Sequence, residues 1–314
     1  MRKHATFRSG SLSARMLVRV IDLVALRGHD AEALCRSAGL QLAALRQPEA
    51  RVPYALAERL GERALELTQD PNLGLHLAQD VRDSRRFDVG LLLLMASPTL
   101  RAALESMVRY QRYWGDGERS RLVAVSGGLA VRYRLAGPAG VIQRHGDECA
   151  LAEIALGVNV IAARAVAARC VRFRHAGPRE RREHRALFGC PIEFSAAHTE
   201  IEFDEAVLET PTRHAQPFYA ELFRQQVERA IALLPAEGGL EREVRGVVQF
   251  ALAGGDCTLA STARALGSTA RTLQRRLEAR GSSFDALVDG LRRELALRYL
   301  DQQVSVREIA SLLG

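Results

Sequence analysis

Arg271, Thr272, Gln274, Arg275 and Arg276 fall within one short stretch whose apolar residues recur at helical spacing. On a helix, residues three and four apart share a face. The outer face therefore gathers three guanidinium groups, a carboxamide and a hydroxyl, opposed only by Glu278. Arginine can donate two hydrogen bonds to a guanine edge, and glutamine can pair with adenine. The same groups can instead grip phosphates. A solvated helix face accounts for them equally, because the chain uses arginine everywhere and Lys3 is its only lysine.

The elements that must position these residues run from Asp256 to Gly281. The pattern predicts one helix from about Thr258 to Leu266, stopped at Gly267, and a second capped by Ser268 or Thr269 and continuing to about Arg280. Leu259, Ala263 and Leu266 give the first helix an inward stripe, and Leu273 with Leu277 does so for the second. Glycine accepts the left-handed conformation at a helix end, and a hydroxyl next to it starts a new helix. Two such helices with a tight connection read as a helix-turn-helix unit.

The chain has 314 residues, a formal net charge of +7 and an apolar fraction of 47%. That length supports two domains with their own cores, and the composition is that of a folded protein. The basic balance suits an anionic partner such as nucleic acid. Five cysteines at 35, 149, 170, 190 and 257 form no CxxC pair, which argues against a disulfide scaffold or compact zinc site. The first 30 residues carry charges inside their most apolar part, unlike a signal peptide. The longest apolar run, Leu91 to Ala96, is far too short for a membrane span. A cytoplasmic location without membrane contact is expected.

The N-terminal part reads as mostly helical: Ser13 to Leu26 with Met16, Val20, Leu23 and Val24 inward, His29 to Ala38, Pro53 to Leu67 and Leu73 to Gln79, after a loose start over residues 1 to 12. Thr99 to Tyr113 is a helix, and the period then changes to two. Arg121 to Ser126 and Leu129 to Leu135 form a hairpin about Ser126-Gly127-Gly128. A long helix is expected from Cys149 to Ala168 and a short one from Arg179 to Leu187. Strands are expected at Val171 to Phe173, Ile192 to Phe194 and Glu200 to Phe203. Phe218 to Leu234 is helical, Pro235 to Gly239 is the clearest break, and Glu241 to Leu252 opens the last domain. The fold class is thus an α+β N-terminal sensor domain, with a helical start and a small mainly antiparallel sheet, followed by an all-α C-terminal domain. No P-loop and no dinucleotide-type glycine loop occurs.

The stretch LQRRLEARGSSFDALVDGLRRELALRYL, Leu273 to Leu300, followed by VSVREIASLLG, resembles the AraC/XylS class of bacterial transcription regulators. SPTLRAALESMVRYQRYWGDG (Ser97 to Gly117) and VRFRHAGPRERREHRALFGCPIEF (Val171 to Phe194) resemble the branch with an arabinose-binding-type N-terminal domain, which includes regulators of ornithine use. The resemblance implies an effector-binding and dimerisation domain over 13–234 and a DNA-binding domain over 240–314. It implies a dimer on double-stranded promoter DNA that contacts RNA polymerase, as activators of this class do. Neither a cofactor nor a metal is expected. By the same resemblance Arg271, Gln274 and Arg275 face the groove and read base edges, while Thr269, Thr272 and Arg276 suit phosphates. The family pattern continues past Gly314 with a second recognition helix. Without it Val304, Ile309 and Leu312 are expected to expose apolar surface, which leaves open an interaction protein with weak or lost DNA binding.

A small-molecule effector is implied but unidentified. Tyr110, Tyr113 and Trp114 cluster at a helix end, where core packing or a dimer contact explains them as well as a pocket does. Arg132, Arg134 and His145 could meet a carboxylate. His175 and His184 lie in the basic segment Arg169 to Arg185 without supporting metal-ligand spacing. An enzyme is not expected, since no metalloprotease spacing and no Gly-x-Ser-x-Gly elbow occurs.

Overall fold

The structure, a computed structural model, describes residues 10–47, 50–82, 87–117, 119–134, 141–234, 239–252, 257–301 and 303–313. The chain enters as a three-residue strand, β1 (Ser11–Ser13), and passes directly into α1 (Ala14–Leu26). The buried stripe of α1 is Ala14, Leu17, Val20, Ile21 and Val24. Met16 and Leu23, expected inward, are only partly buried. The Asp30 carboxylate accepts the Glu32 and Ala33 N–H groups and starts α2 (Ala31–Ser37). The short helix α3 (Leu42–Leu45) follows, and β2 (Arg51–Pro53) returns to pair antiparallel with β1. Ser11 and Leu12 thus belong to a ribbon where a loose start was expected, and residues 1–9 of that stretch lie outside the described residues. Arg51 fastens it by donating to Ser11 Oγ at 3.0 Å. Pro53 sits at the end of β2, and α4 (Tyr54–Thr68) begins one residue later.

The next region holds α5 (Leu73–Ala78), a 3-10 turn over Gln79–Arg82, α6 (Val89–Ala96) and α7 (Leu100–Arg109). Asp88 and Thr99 cap α6 and α7 by accepting the Leu91 and Ala102 N–H groups. The predicted hairpin is present as β3 (Ser120–Val125) and β4 (Gly128–Tyr133), with Gly127 at φ 72° in the turn. The long helix α8 (Val141–Ile161) starts eight residues earlier than expected and ends seven earlier. Then come β5 (Cys170–Phe173), α9 (Arg182–Phe188), β6 (Ile192–Phe194), β7 (Thr199–Asp204), α10 (Glu205–Leu208) and α11 (Pro217–Ala232).

The five strands form one sheet in the order β3-β4-β7-β5-β6, antiparallel except for the β5–β6 pair. Pleating sends Val131, Val171, Phe173, Ile201 and Phe203 to one face, all essentially inaccessible, where they pack with Leu151, Ala155 and Val158 of α8. Each such side chain contributes on the order of 1.5–3 kcal/mol by leaving water. The other face carries a charge ladder. Arg132 donates to Glu200 at 2.9 Å, Arg172 bridges Glu193, Glu200 and Glu202, and Arg169 donates to Asp204 at 2.6 Å.

The C-terminal part is helical: α12 (Leu240–Leu252), α13 (Leu259–Ala265), α14 (Ala270–Glu278), α15 (Phe284–Asp301) and α16 (Val306–Leu313). Chain contacts group Met1–Gln69 with Ala236–Gly314 as one unit and Asp70–Pro235 as another. The divisions fall after Gln69 and after Pro235. Within the first unit α12 packs on β2, where Gly246 leaves room for the Pro53 ring and Arg242 reaches Ser11 Oγ at 3.4 Å. Ile309, expected to be exposed, is buried in α16, and Val304 is half-buried. The α15 side supplies that cover, with Arg292 donating to the Leu313 carbonyl at 3.1 Å. The Leu312 side chain and most of the Pro235–Gly239 break lie outside the described residues. No helix among the described residues is long and apolar enough to cross a membrane.

Candidate functional site

The candidate DNA-contacting face is built on α14. Thr258 and Ser261 form a reciprocal capping box that starts α13. Gly267, at φ 65°, ends it, and Thr269 Oγ1 accepts the Thr272 N–H at 3.2 Å to start α14. Leu273 and Leu277 are fully buried, so the orientation of α14 about its axis is fixed by its own apolar stripe. That rotation leaves Arg271, Gln274 and Arg275 exposed, as a groove-reading face requires. Gln274 Nε2 donates to Glu278 Oε1 at 3.0 Å, a contact that DNA would have to replace. Thr269 Oγ1 also donates to Thr272 Oγ1 at 2.9 Å, so both hydroxyls serve the cap.

Arg276 stands apart from the other cations of α14. It is half-buried and faces Glu243 of α12 closely enough, together with Arg280, to act on that carboxylate's charge. Glu243 is itself only 7% exposed. Burial drives its pKa up to about 7, and the two arginines only partly offset that.

The four effector candidates do not share a partner. Tyr110 is buried among Leu93, Val227, Phe223 and Ile231, and its hydroxyl donates to Glu228 of α11 at 2.8 Å. Trp114 lies edge-on to Tyr113 at 5.3 Å, covers Gly90 and donates to Asp88 Oδ2 at 3.1 Å. Arg132 belongs to the charge ladder and Arg134 is exposed. These contacts tie α7 to α6 and α11.

A polar centre that sequence reasoning missed lies under the same sheet. Glu148 of α8 is fully buried, and its Oε1 accepts from Arg144 at 2.9 Å and faces His184 Nε2 at 2.9 Å. His175 Nε2 lies 3.7 Å from Oε1, and His145 Nδ1 lies 3.9 Å from Oε2. Burial pushes the Glu148 carboxyl up, but the His184 and Arg144 contacts outweigh it and hold the group below its usual range. Burial pushes His145 down to about 4 and lowers His175 as well. Sequence reading singled out all three histidines but not Glu148: Arg144 and His145 lie one helical turn before it, while His175 and His184 lie 27 and 36 residues beyond it, where no local spacing reveals a contact. Among the described residues no group of His, Cys, Asp or Glu is arranged to hold a metal ion.

Comparison with known proteins agrees with this architecture. The arabinose-binding domain of AraC transcription regulators, an N-terminal domain, matches residues 28–212. The chain is 28% identical to the ornithine utilization regulator of Pseudomonas aeruginosa over 94% of its own length and 87% of that protein's. It is 29% identical to the HTH-type transcriptional regulator VirS of Mycobacterium tuberculosis over 78% of this chain and 72% of VirS. The crystal structure of the transcriptional regulator CdpR from Pseudomonas aeruginosa shares the fold with a TM-score of 0.50 at 18% identity, covering 96% of this chain and 90% of CdpR. These relatives are regulators and not enzymes, and the matched domain spans more than half of the sequence: the chain belongs to the AraC family of transcription regulators with an arabinose-binding-type N-terminal domain.

Proposed function

We propose that α13 and α14 form the DNA-reading helix-turn-helix of an effector-responsive transcription activator. Support comes from the exposed Arg271, Gln274 and Arg275 on a helix held from behind by Leu273 and Leu277. On this reading the three side chains meet base edges in the major groove, and the Thr269 and Thr272 hydroxyls at the helix start meet phosphate. Arg276 serves chiefly to hold α14 against α12. A small molecule acting on the arabinose-binding-type domain shifts the population of DNA-competent protein, a coupling on the order of 1–3 kcal/mol. The working form is a cytoplasmic homodimer that presents promoter DNA to RNA polymerase. Its candidate self-contact is α11, where Phe218 is 71% and Tyr219 51% exposed.

The test is operator selection followed by substitution. Arg275→Ala should cost about 1–3 kcal/mol of discrimination at one base position and little elsewhere. Thr269→Ala should weaken all sequences alike. If Arg275→Ala lowered affinity equally for every sequence, base reading by this residue would be excluded.

A further inference from the structure

The buried centre around Glu148 holds hydrogen-bond acceptors that face one another. His175 Nδ1 lies 3.0 Å from the Ala176 carbonyl, so Nδ1 carries the ring proton and Nε2 presents a lone pair. That lone pair lies 3.7 Å from Glu148 Oε1, another acceptor, and finds no hydrogen-bond donor among the described residues. His145 Nδ1 already accepts the Gly74 N–H at 3.3 Å, so it too meets Glu148 Oε2 as an acceptor. Glu148 Oε2 has no donor among the described residues either. His184 differs: its Nε2 is within 2.9 Å of Oε1 and supplies a proton there. One arrangement therefore remains incomplete, and the smallest species that completes it is a proton on His175 Nε2.

We propose that Glu148 and His175 form a proton-operated latch between α8 and the segment linking β5 to α9. Proton uptake turns the acceptor–acceptor contact into an N–H donor aimed at a carboxylate. A closure of about 1 Å then makes a charge-assisted hydrogen bond. The proton comes from solvent, and no covalent bond changes. The His175 ring on that segment lies 4.9 Å from the Phe173 ring of β5 and 5.7 Å from the Phe194 ring of β6, so the latch acts on the edge of the sheet core. Among the described residues the charged and titratable groups facing His175 include Glu148, Arg144 and His145 from α8 and His184 from α9. His145 brings the α5 side into it, through Glu148, Arg144 and Asp70. Burial opposes charging His175, while Glu148 favours it, so the latch closes on the acid side of neutrality. The inference concerns the Asp70–Pro235 unit and stands independently of the DNA reading.

The experiment uses the full chain labelled with 15N-histidine, titrated from pH 8 to pH 4.5 by long-range nitrogen–proton NMR, with amide exchange followed in parallel and corrected for intrinsic rates. His175 should begin as the Nδ1–H tautomer and become an imidazolium while the protein stays folded. Amides of residues 170–188 should then exchange severalfold more slowly. Glu148→Gln should move the His175 midpoint to lower pH by about one unit or more. His175→Gln should abolish the pH-dependent slowing while leaving the fold intact, and it decides the matter if Glu148→Gln does not fold. A His175 that stays neutral until the protein unfolds overturns the proposal. So does an unchanged midpoint in Glu148→Gln, or a His175→Gln variant that keeps the wild-type pH dependence.

Discussion

Replacing Glu243 by glutamine should make the unit that carries α14 less sensitive to pH. The carboxyl ionises in solution near 4.5, but in the folded chain burial raises that value to about 7. The folded state therefore holds the proton more tightly than the unfolded state. Stability from this group is fully present below pH 4.5 and is lost as pH rises through about 7. The interval corresponds to roughly 3 kcal/mol. Glutamine cannot ionise, so the slope between pH 4.5 and 7 should vanish while the amide keeps the shape of the site. The assay is hydrogen exchange on peptides from α12 to α14 across that range, since a chain of two units gives no single unfolding midpoint. The same substitution removes the carboxylate that draws Arg276 and Arg280, and binding to random-sequence DNA at low salt should tighten. A flat wild-type profile between pH 4.5 and 7, or an equally steep one in Glu243→Gln, would refute the reasoning.

Two further outcomes are expected. Gly74→Ala would drive a methyl group into the His145 backbone carbonyl where α5 crosses α8, and it should lower stability by about 1–3 kcal/mol, measured as faster amide exchange of α5 and α8 peptides. Tyr110→Phe removes a buried hydroxyl bonded to Glu228 and should cost on the order of 1 kcal/mol; an effector affinity unchanged by it would place Tyr110 in the scaffold, not in a pocket.

Local patterns carried much of this fold. Leu273 and Leu277 announced the buried side of α14 by spacing alone, and Gly267 and Gly127 marked turns whose positive φ the structure requires. The β1–β2 ribbon was hidden because three-residue strands separated by 37 residues carry no alternation to read. The start of α8 was hidden for a different reason. Gln143, Arg144, His145, Asp147 and Glu148 look like a polar loop in sequence, yet Asp147 and Glu148 are buried at 2% and 0% exposure. Their partners come from elsewhere: Thr199 donates to Asp147, and His184 meets Glu148. The residues that build the polar centre thus disguise the helix that carries it. Ile309 was misjudged because its cover by α15 depends on how two helices meet, which periodicity within one helix does not specify.

DNA reading by α14 is tested by fluorescence anisotropy of the full chain on its own upstream DNA, against a scrambled duplex and over a salt series. The native sequence should be preferred, affinity should fall steeply with salt, and Arg271→Ala and Arg275→Ala should lose the preference while the salt-dependent component persists. Equal binding of both duplexes by folded protein, unaltered by either substitution, would contradict it.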